Sequence, residues 1–403
     1  MKVLIWTKNT ALVNMGGPMG YCYNIKSYLD EHPNDEIDFY PGSVCTDTLP
    51  KINESTFTFK QKFLSFLSRN RYFSFFRTLY QYYFKKIPLT NEEIELLKKY
   101  DFVHVHWASE ILKTFSTFKN NKTKVILTTH TPEPLFDELV GNCGMGSFIK
   151  KFPFIRDFFL KHEVNAYKKS DYVMFPVADA TEPYAHKSQW HAEAIKEIQP
   201  KTFYVPTAIN KLKGTTQNRQ SLSKYNIPKD ALKICYVGRH NEVKGYDILK
   251  QIAQRVWQDN PNIYFIIGGK ESPLKGLDDN RWIELGWINT TELLNEIDAF
   301  ILPNKETYFD IILLEVLRQG VPVIITRTGG NKWFENKKVP GIFCYNYDDI
   351  DKGASLINNL LIEKKNGSFE SLKDANLKFF DEYLYMPQYI KCYLEQLHRI
   401  HRD

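Results

Sequence analysis

Short apolar runs alternate with stretches of helical spacing along most of this chain. The runs VLIW at 3–6 and FILP at 300–303 are continuously apolar, which is typical of parallel strands buried on both faces. The pattern predicts strands at Lys2–Thr7, Phe102–His106, Lys124–Thr129, Asp171–Phe175, Thr202–Val205, Lys233–Val237, Ile263–Ile267, Ala299–Leu302 and Pro322–Ile325. Helical stretches intervene, for example Tyr21–Asp30, Tyr246–Gln258 and Ile311–Gln319. This alternation predicts an α/β fold with doubly wound parallel sheets.

A polar segment at 213–230 separates the strands into two sets and is typical of a linker. We therefore predict two Rossmann-like domains that face each other across a cleft. Their predicted bounds are 1–210 and 211–385, and a last helix at 386–403 completes the first domain. A length of 403 residues is enough for each domain to bury its own core.

The composition of the chain is that of a globular protein. The apolar content of 43% and the charged content of 25% are ordinary for a globular chain. No run reaches 18 apolar residues, and the amino terminus fits a first strand better than a signal peptide. The six cysteines are scattered without a CxxC pair. We therefore expect a reduced, cytoplasmic protein.

Two cations lie between a predicted buried strand and the helix that follows it. They are Arg239 and Lys244, in the run VGRHNEVKG. Open α/β sheets bind ligands at the carboxyl ends of their strands, and Arg and Lys are the usual partners of phosphate oxygens. Cations placed there would stabilise the charge that a nucleotide-diphosphate leaving group gains. With the nearby carboxylates, they predict a site for a nucleotide diphosphate and its sugar.

A glycine loop at 15–20 precedes the first predicted helix. Gly16, Gly17 and Gly20 permit close approach to the backbone, and the amino end of the helix favours an anion. The loop suits an acceptor or a phosphate, although a plain tight turn has the same sequence. Its spacing is GGxxG and not GxGxxG, so we reject an NAD site.

No metal or cofactor is implied by the remaining motifs. Asp349-Ile350-Asp351 has the DxD spacing of a metal-held diphosphate, but it lies in a late polar turn and is interpreted as solvated. Zinc spacings, HExxH and GxSxG do not occur. We expect no metal and no cofactor, because Arg239 and Lys244 already supply the charge.

One segment is both basic and aromatic. Residues 57–86 contain seven Lys or Arg, twelve aromatic residues and no acid, and residues 149–162 repeat the bias. This composition favours peripheral contact with an anionic membrane face. A helical hairpin packed into the core, with its cations in water, is the alternative. Nucleic acid could use the same chemistry, but no nucleic-acid motif accompanies the segment, so we expect no such partner.

The order of motifs resembles that of GT-B fold glycosyltransferases, in particular the retaining enzymes of family 4 (group 1 type). The segments that carry the resemblance span nearly the whole chain: the glycine loop at 16–20, VHVHW at 103–107, TTH ending at His130, VPTAIN at 205–210, VGRHNEVKG at 237–245, LGWINTTELLNEIDAFILPN at 285–304, LLEVLRQGVPVI at 313–324, TGG at 328–330, and FFDEYLYMPQYIKCYLEQL near the end. The resemblance implies a carboxy-terminal domain for the nucleotide sugar and an amino-terminal domain for the acceptor.

The resemblance also assigns donor residues. Arg239 and Lys244, with Gly238 beside them, would hold the diphosphate, and Glu315 would accept hydrogen bonds from the ribose hydroxyls. His130, at the end of KVILTT, would reach the donor sugar. On the acceptor side, the candidates are Gly16, Gly17, Gly20, His106 and Trp107, although a strand-end His or Trp is often only structural.

The chain departs from the family at the first acidic position. Counting back from Glu315, that position holds Thr307, and the usual Phe-Gly pair is Phe309-Asp310. Glu306 is favoured for the acidic, catalytic role, while Asp310 or Thr307 could instead contact the sugar. Backbone amides at Tyr308–Asp310 could also bind hydroxyls or phosphate.

The resemblance implies a retaining, hexosyltransferase-type enzyme. It would move a sugar from a nucleotide-diphospho-sugar, which is a co-substrate, to a glycan or lipid-linked acceptor in polysaccharide biosynthesis, at the inner face of the cell membrane. Two alternatives remain open. The altered Thr307 and Asp310 fit a non-catalytic partner subunit, and the same fold could support a nucleotide-sugar epimerase or hydrolase.

Overall fold

The computed structural model describes residues 1–14, 16–46, 58, 66–116, 118, 122–212 and 222–402. These residues form two compact units. The first unit contains Met1–Pro176, Thr181–Val205 and Ile390–Asp403, and the second contains Val177–Ala180 and Pro206–Tyr389. The predicted linker is described only from residue 222 onward. Residues 57 and 59–65 of the basic aromatic segment, and Met15 of the glycine loop, lie outside the described residues.

Fourteen strands form two main sheets and one short pair among the described residues. In chain order they are β1 (Val3–Trp6), β2 (Ala11–Leu12), β3 (Ile37–Tyr40), β4 (Val44–Cys45), β5 (Phe102–Val105), β6 (Lys124–Thr128), β7 (Tyr172–Phe175), β8 (Thr202–Tyr204), β9 (Leu232–Val237), β10 (Ile263–Gly268), β11 (Trp282–Gly286), β12 (Ala299–Leu302), β13 (Val323–Thr326) and β14 (Ile342–Tyr345).

The helices lie between these strands. They are α1 (Pro18–Glu31), α2 (Arg71–Leu79), α3 (Asn91–Leu97), α4 (Ala108–Glu110), α5 (Leu135–Asn142), α6 (Gly146–Lys151), α7 (Pro153–Lys169), α8 (Glu182–Lys187), α9 (Gln189–Ile198), α10 (Tyr246–Asp259), α11 (Thr290–Leu293), α12 (Ile311–Arg318), α13 (Asn331–Asn336), α14 (Ile350–Asn366), α15 (Phe369–Phe379) and α16 (Met386–Arg402). Wider π-type turns extend α2, α4 and α15 over Tyr80–Phe84, Ile111–Phe115 and Phe380–Leu384. None of these helices is both long and apolar enough to cross a lipid bilayer.

The sheet of the first unit has the order β3-β1-β5-β6-β7-β8, and every pair in it is parallel. The central strands β1 and β5 are buried at every position, as their apolar runs predict. The strand order reverses between β1 and β5. In open α/β sheets such a switch point is where ligands bind.

The sheet of the second unit has the order β11-β10-β9-β12-β13-β14 and is also parallel throughout. This is the classic Rossmann order, and its switch point lies between β9 and β12. Apolar side chains of α10 and α14, including Ile252 and Ile357, pack on this sheet in a buried cluster. The α/β prediction with two doubly wound parallel sheets is confirmed.

Two details differ from the sequence interpretation. Asp349 and Asp351 are exposed, as predicted, but they begin α14 and do not form a separate polar turn. Asp349 caps the amino end of α14 by accepting a hydrogen bond from the Lys352 amide at 2.9 Å, and Asp351 pairs with Arg255 at 2.7 Å. The first helix also begins three residues before the predicted Tyr21, because Pro18 occupies its first turn after Gly17.

Candidate functional site

The loop after β9 places both predicted cations at the switch point of the second unit. Tyr236, at the end of β9, donates its hydroxyl hydrogen to the Arg239 carbonyl oxygen at 2.8 Å. Asn241 fixes the other end of the loop, because its Oδ1 accepts a hydrogen bond from the Lys244 amide at 2.9 Å. Arg239 itself is exposed, whereas Lys244 is partly buried. The loop therefore offers one open and one enclosed cation.

Gly245 joins this loop to the loop after β12. Its φ of 64° is left-handed, and an added Cβ would lie 1.7 Å from the Pro303 carbonyl oxygen. Only glycine permits this approach of two backbones. The amide of Lys305 also donates to the Val243 carbonyl at 2.9 Å. As a result, residues 303–310 lie directly beside the cation loop, although they follow it by about sixty positions in the sequence.

Lys244 forms an ion pair that the sequence did not predict. Its Nζ lies 2.8 Å from both carboxylate oxygens of Asp310, and the side chains are 15% and 17% exposed. Asn304 donates a further hydrogen bond to Asp310 at 2.5 Å. Asp310 was expected to contact the sugar or to replace the family's glycine. In this structure it instead neutralises the cation assigned to the diphosphate.

The other residues of the altered loop are largely enclosed. Thr307, Tyr308 and Phe309 are buried, and Glu306 is partly buried. The Thr307 hydroxyl has no hydrogen-bond partner among the described residues. From the far side, Gly330 packs against the loop so closely that a Cβ there would lie 2.0 Å from the Tyr308 carbonyl oxygen. The choice among Glu306, Thr307 and Asp310 for the first acidic role stays a prediction.

Glu315 lies on α12, whose apolar side chains Leu314 and Leu317 are fully buried. Burial raises the pKa of the Glu315 carboxyl, while the positive charge of Arg318 lowers it. Arg318 is held in turn by the Asn210 carbonyl oxygen, at 3.0 Å from Nη1. A half-buried carboxylate of this kind can accept hydrogen bonds from the two hydroxyls of a ribose.

The first unit has a pocket of about 290 Å³ at its own switch point. Three predicted acceptor residues line it: Gly16, His106 and Trp107. The predicted Gly17 and Gly20 belong to the amino end of α1 and do not line the pocket. The sequence analysis missed six further lining residues, which lie between the end of β1 and the second turn of α1: Thr7, Asn9, Leu12, Pro18, Met19 and Cys22.

His130, which is partly buried, joins the buried His104 and His106, and His106 lines this pocket. His106 Nδ1 and His130 Nε2 are 3.1 Å apart, and the rings of His104 and His106 lie 4.3 Å from each other. Burial lowers the pKa of all three imidazoles, to about 3 for His106. They are therefore neutral near pH 7 and can exchange hydrogen bonds with hydroxyl groups.

Among the described residues, no group of three His, Cys, Asp or Glu side chains is arranged to hold a metal ion. All six cysteines are free, and burial raises the pKa of Cys22 and Cys235, so that these thiols stay protonated.

Comparison with known proteins gives a family match for part of the second unit. Residues 231–363 match the family model "Glycosyl transferases group 1", and the match contains all the predicted donor residues of the second unit but not His130. An uncharacterised 41.2 kDa protein in the cps region of Klebsiella pneumoniae is 21% identical over 310 residues, which cover 73% of this chain and 79% of that protein. The putative teichuronic acid biosynthesis glycosyltransferase TuaC of Bacillus subtilis is 26% identical over 151 residues, which cover 36% of this chain and only 38% of TuaC.

Solved structures show the fold across the whole chain. Sucrose-phosphate synthase from Thermosynechococcus elongatus has a TM-score of 0.59 and 13% identity, and the alignment covers 99% of this chain and 98% of that one. HepE from Anabaena, solved in complex with UDP-glucose, has a TM-score of 0.57 and 14% identity, with 99% and 100% of the two chains covered. The chain therefore has the GT-B fold of these structures, and residues 231–363 of its second unit match the group 1 glycosyl transferase family.

Proposed function

We propose that the protein transfers a hexose from a nucleotide-diphospho-sugar to a glycan or lipid-linked acceptor during cell-surface polysaccharide assembly, with retention of anomeric configuration. The observation that carries the proposal is the position of Arg239 and Lys244. Both lie at the switch point of a Rossmann-order sheet, next to the residues that end β12. Cations at this position can bind a diphosphate and stabilise it as it departs.

The names of the relatives support a role of this reaction in cell-surface polysaccharide assembly. Their names place them in a cps region and in teichuronic acid synthesis, and a lipopolysaccharide outer core galactosyltransferase, WaaB, has the same fold with a TM-score of 0.54. HepE was solved with UDP and with UDP-glucose. We therefore favour a UDP-sugar as the donor and a growing cell-surface glycan as the acceptor, with the reaction at the cytoplasmic face of the membrane.

The proposed step exchanges one glycosidic bond for another. The bond between the anomeric carbon and the diphosphate oxygen breaks, and the electron pair leaves with the nucleoside diphosphate. Arg239 and Lys244 neutralise the charge that develops on it, while Glu315 holds the ribose. The acceptor hydroxyl forms the new bond on the face from which the phosphate departs, and its proton passes to the departing phosphate. This geometry would preserve the anomeric configuration.

Within this scheme, Asp310 must release Lys244 when the diphosphate arrives. Glu306 or Thr307 then faces the sugar, and a carboxylate there can stabilise positive charge that develops at the anomeric carbon. On the other unit, the pocket beside His106 and Trp107 is the proposed acceptor subsite, because it combines an aromatic wall with neutral hydrogen-bonding groups.

One observation favours a second candidate, a non-catalytic partner subunit. The Lys244–Asp310 pair cancels a charge that catalysis requires, and a chain that no longer binds donor would keep such a pair at no cost. An epimerase or hydrolase that uses the same donor is a third possibility.

The test is product formation from a panel of UDP-, GDP-, ADP- and dTDP-sugars with lipid-extracted glycan acceptors. We expect one donor to give a new acceptor mass and a retained anomeric configuration by NMR, and we expect the Arg239→Ala/Lys244→Ala variant to lose this product. Nucleotide release without acceptor modification would indicate a hydrolase, and isomerised donor would indicate an epimerase. If the folded protein neither binds nor turns over any donor, the partner-subunit function is favoured.

A further inference from the structure

Two stripes of large apolar and aromatic side chains run along α2 and the π-type turn that extends it. One stripe, Phe75, Leu79 and Tyr83, recurs every four residues and is buried. The second stripe is shifted by one position and consists of Tyr72, Phe76, Tyr80 and Phe84. All four members of the second stripe are exposed. Core packing therefore accounts for the first stripe and leaves the second without an explanation.

A neighbouring element adds exposed rings to the second stripe. Phe154 and Phe158, one turn apart on α7, are 67% and 54% exposed. Phe158 lies 6.3 Å from Phe84, between ring centroids, and the ring of Phe148 bridges Phe76 and Phe152 at 6.0 and 5.0 Å. The six residues Tyr72, Phe76, Tyr80, Phe84, Phe154 and Phe158 thus form a single aromatic surface. Exposed apolar surfaces of this kind on a folded unit usually mark an interaction site.

The charges around the aromatic surface are almost all positive. Exposed cations flank its rings near both ends of α2 with its π-type turn and at the end of α6: Arg69, Arg71, Lys85, Lys86, Lys150 and Lys151. Residues 66–86 contain no acid, and Asp157 is the one acid among residues 146–162. Such a surface is complementary to a partner that is both apolar and anionic.

We propose that the aromatic surface docks onto the interface of a bilayer that contains anionic lipid. Phe, Tyr and Trp rings enter the boundary between headgroups and acyl chains, while flanking Lys and Arg side chains bind anionic headgroups. A second copy of this chain is a poor occupant, because it would bring the same cations face to face. Single-stranded nucleic acid is also less suitable, because four of the six rings are phenylalanine side chains on helical surfaces and no basic groove accompanies them among the described residues.

Docking here would hold the first unit against the membrane that carries a lipid-linked acceptor. The proposal rests on the proposed function for that acceptor only. Lipid binding itself needs no sugar donor, so the two proposals can fail separately. The partner that we propose is the fluid anionic surface of a bilayer and not a single lipid molecule, because the cations are spread over more than one helix.

The experiment is flotation of the full chain with vesicles at low salt. One set is phosphatidylcholine alone, and the other contains about one third phosphatidylglycerol. We expect recovery with the anionic vesicles and loss of that recovery at high salt. Phe154→Ser/Phe158→Ser and Lys150→Glu/Lys151→Glu should each weaken binding by about tenfold or more, since each removes contacts that the bilayer would make.

Two controls match these variants. Trp287→Ser removes an aromatic ring of the second unit that is 84% exposed, and Lys168→Glu/Lys169→Glu reverses an exposed lysine pair at the far end of α7. Both should float as well as the unaltered protein. Circular dichroism and thermal unfolding check that each variant is folded.

Three results would overturn the proposal. The first is no recovery with anionic vesicles at low salt, and the second is equal recovery of all the variants. The third is evidence that the aromatic surface binds another partner. In that case Phe154→Ser/Phe158→Ser would abolish a dimer, or binding to single-stranded RNA, and leave vesicle binding unchanged.

Discussion

Lys244 Nζ lies 2.8 Å from both carboxylate oxygens of Asp310, so the enclosed cation of the proposed donor site is already paired. The pair is mostly shielded from solvent, where opposite charges attract more strongly than at the surface. A diphosphate that binds Lys244 must therefore compete with Asp310. We therefore expect the Lys244–Asp310 pair to weaken the binding of a diphosphate at this site.

We expect Asp310→Asn to tighten the binding of UDP by about tenfold, which corresponds to about 1.4 kcal/mol. The substitution keeps the shape of the side chain and removes the competing charge. Isothermal titration with UDP alone measures the effect without any contribution from the sugar. The matched control is Asp298→Asn, because Asp298 pairs with Lys364 at the same 2.8 Å but precedes β12 at the opposite end of the strand. Weaker binding of UDP by Asp310→Asn would show that the carboxylate assists the donor.

Thr307→Val separates a donor contact from a structural role. The Thr307 hydroxyl is fully buried and has no hydrogen-bond partner among the described residues, so its loss should not lower the free energy of unfolding and could raise it by about 1 kcal/mol. If the hydroxyl binds the donor sugar, the KM for the nucleotide sugar should rise by about tenfold while UDP binding stays the same. Unchanged KM with unchanged stability would remove Thr307 from the site.

Gly245→Ala should disrupt the junction of the two site loops. The added methyl group would meet the Pro303 carbonyl oxygen at 1.7 Å in a left-handed conformation, and we expect a loss of more than about 3 kcal/mol in the free energy of unfolding. Gly367→Ala is the control, because Gly367 has a similar φ of 76° but open space around it. That variant should lose only about 1 kcal/mol. Equal losses in urea denaturation would mean that the close approach to Pro303 has no energetic importance.

The buried histidines make the stability of the protein depend on pH. Burial lowers the folded-state pKa of His104, His106 and His130 below the ordinary value of 6.5, so the unfolded chain binds more protons in acid. Their contribution is complete above pH 6.5 and is lost progressively as the pH falls below it, by up to about 1.4 kcal/mol per pH unit for each histidine. Urea denaturation between about pH 7.5 and pH 5 measures the slope. His106→Gln should reduce it, and a free energy of unfolding that rises toward acid would contradict the account.

The central strands could be predicted from sequence because both of their faces are buried. Ala299–Leu302 was predicted to the residue, and the continuous apolar run of β1 located that strand to within one residue at each end. The strands β3, β11 and β14 were missed, and each lies at the edge of a sheet. Asp38 and Glu284 interrupt the apolar pattern of β3 and β11, whereas β14 (IFCY) is apolar throughout and was not recognised as a strand.

In the candidate site, too, some residues could be predicted from the sequence and others could not. Arg239 and Lys244 could be placed from the strand that precedes them, because a parallel strand delivers its next loop to a known edge of the sheet. The pairing of Lys244 with Asp310 could not be predicted from the sequence. These residues are 66 positions apart, and they meet only because Gly245 lies close to Pro303. The set of residues predicted to line the proposed acceptor pocket was also incomplete. Thr7 and Asn9 enter it only through the path of the loop after β1, which has no periodic pattern.

The most direct test of the central claim is equilibrium binding of nucleoside diphosphates to the purified protein. We predict that one of UDP, GDP, ADP and dTDP binds, and that Arg239→Ala/Lys244→Ala weakens this binding by about a hundredfold or more, since two charge-assisted contacts are lost. Lys250→Ala/Arg255→Ala, which removes two cations of α10 outside the loop, should bind like the unaltered protein. Equal binding by all three proteins would contradict a donor site at Arg239 and Lys244.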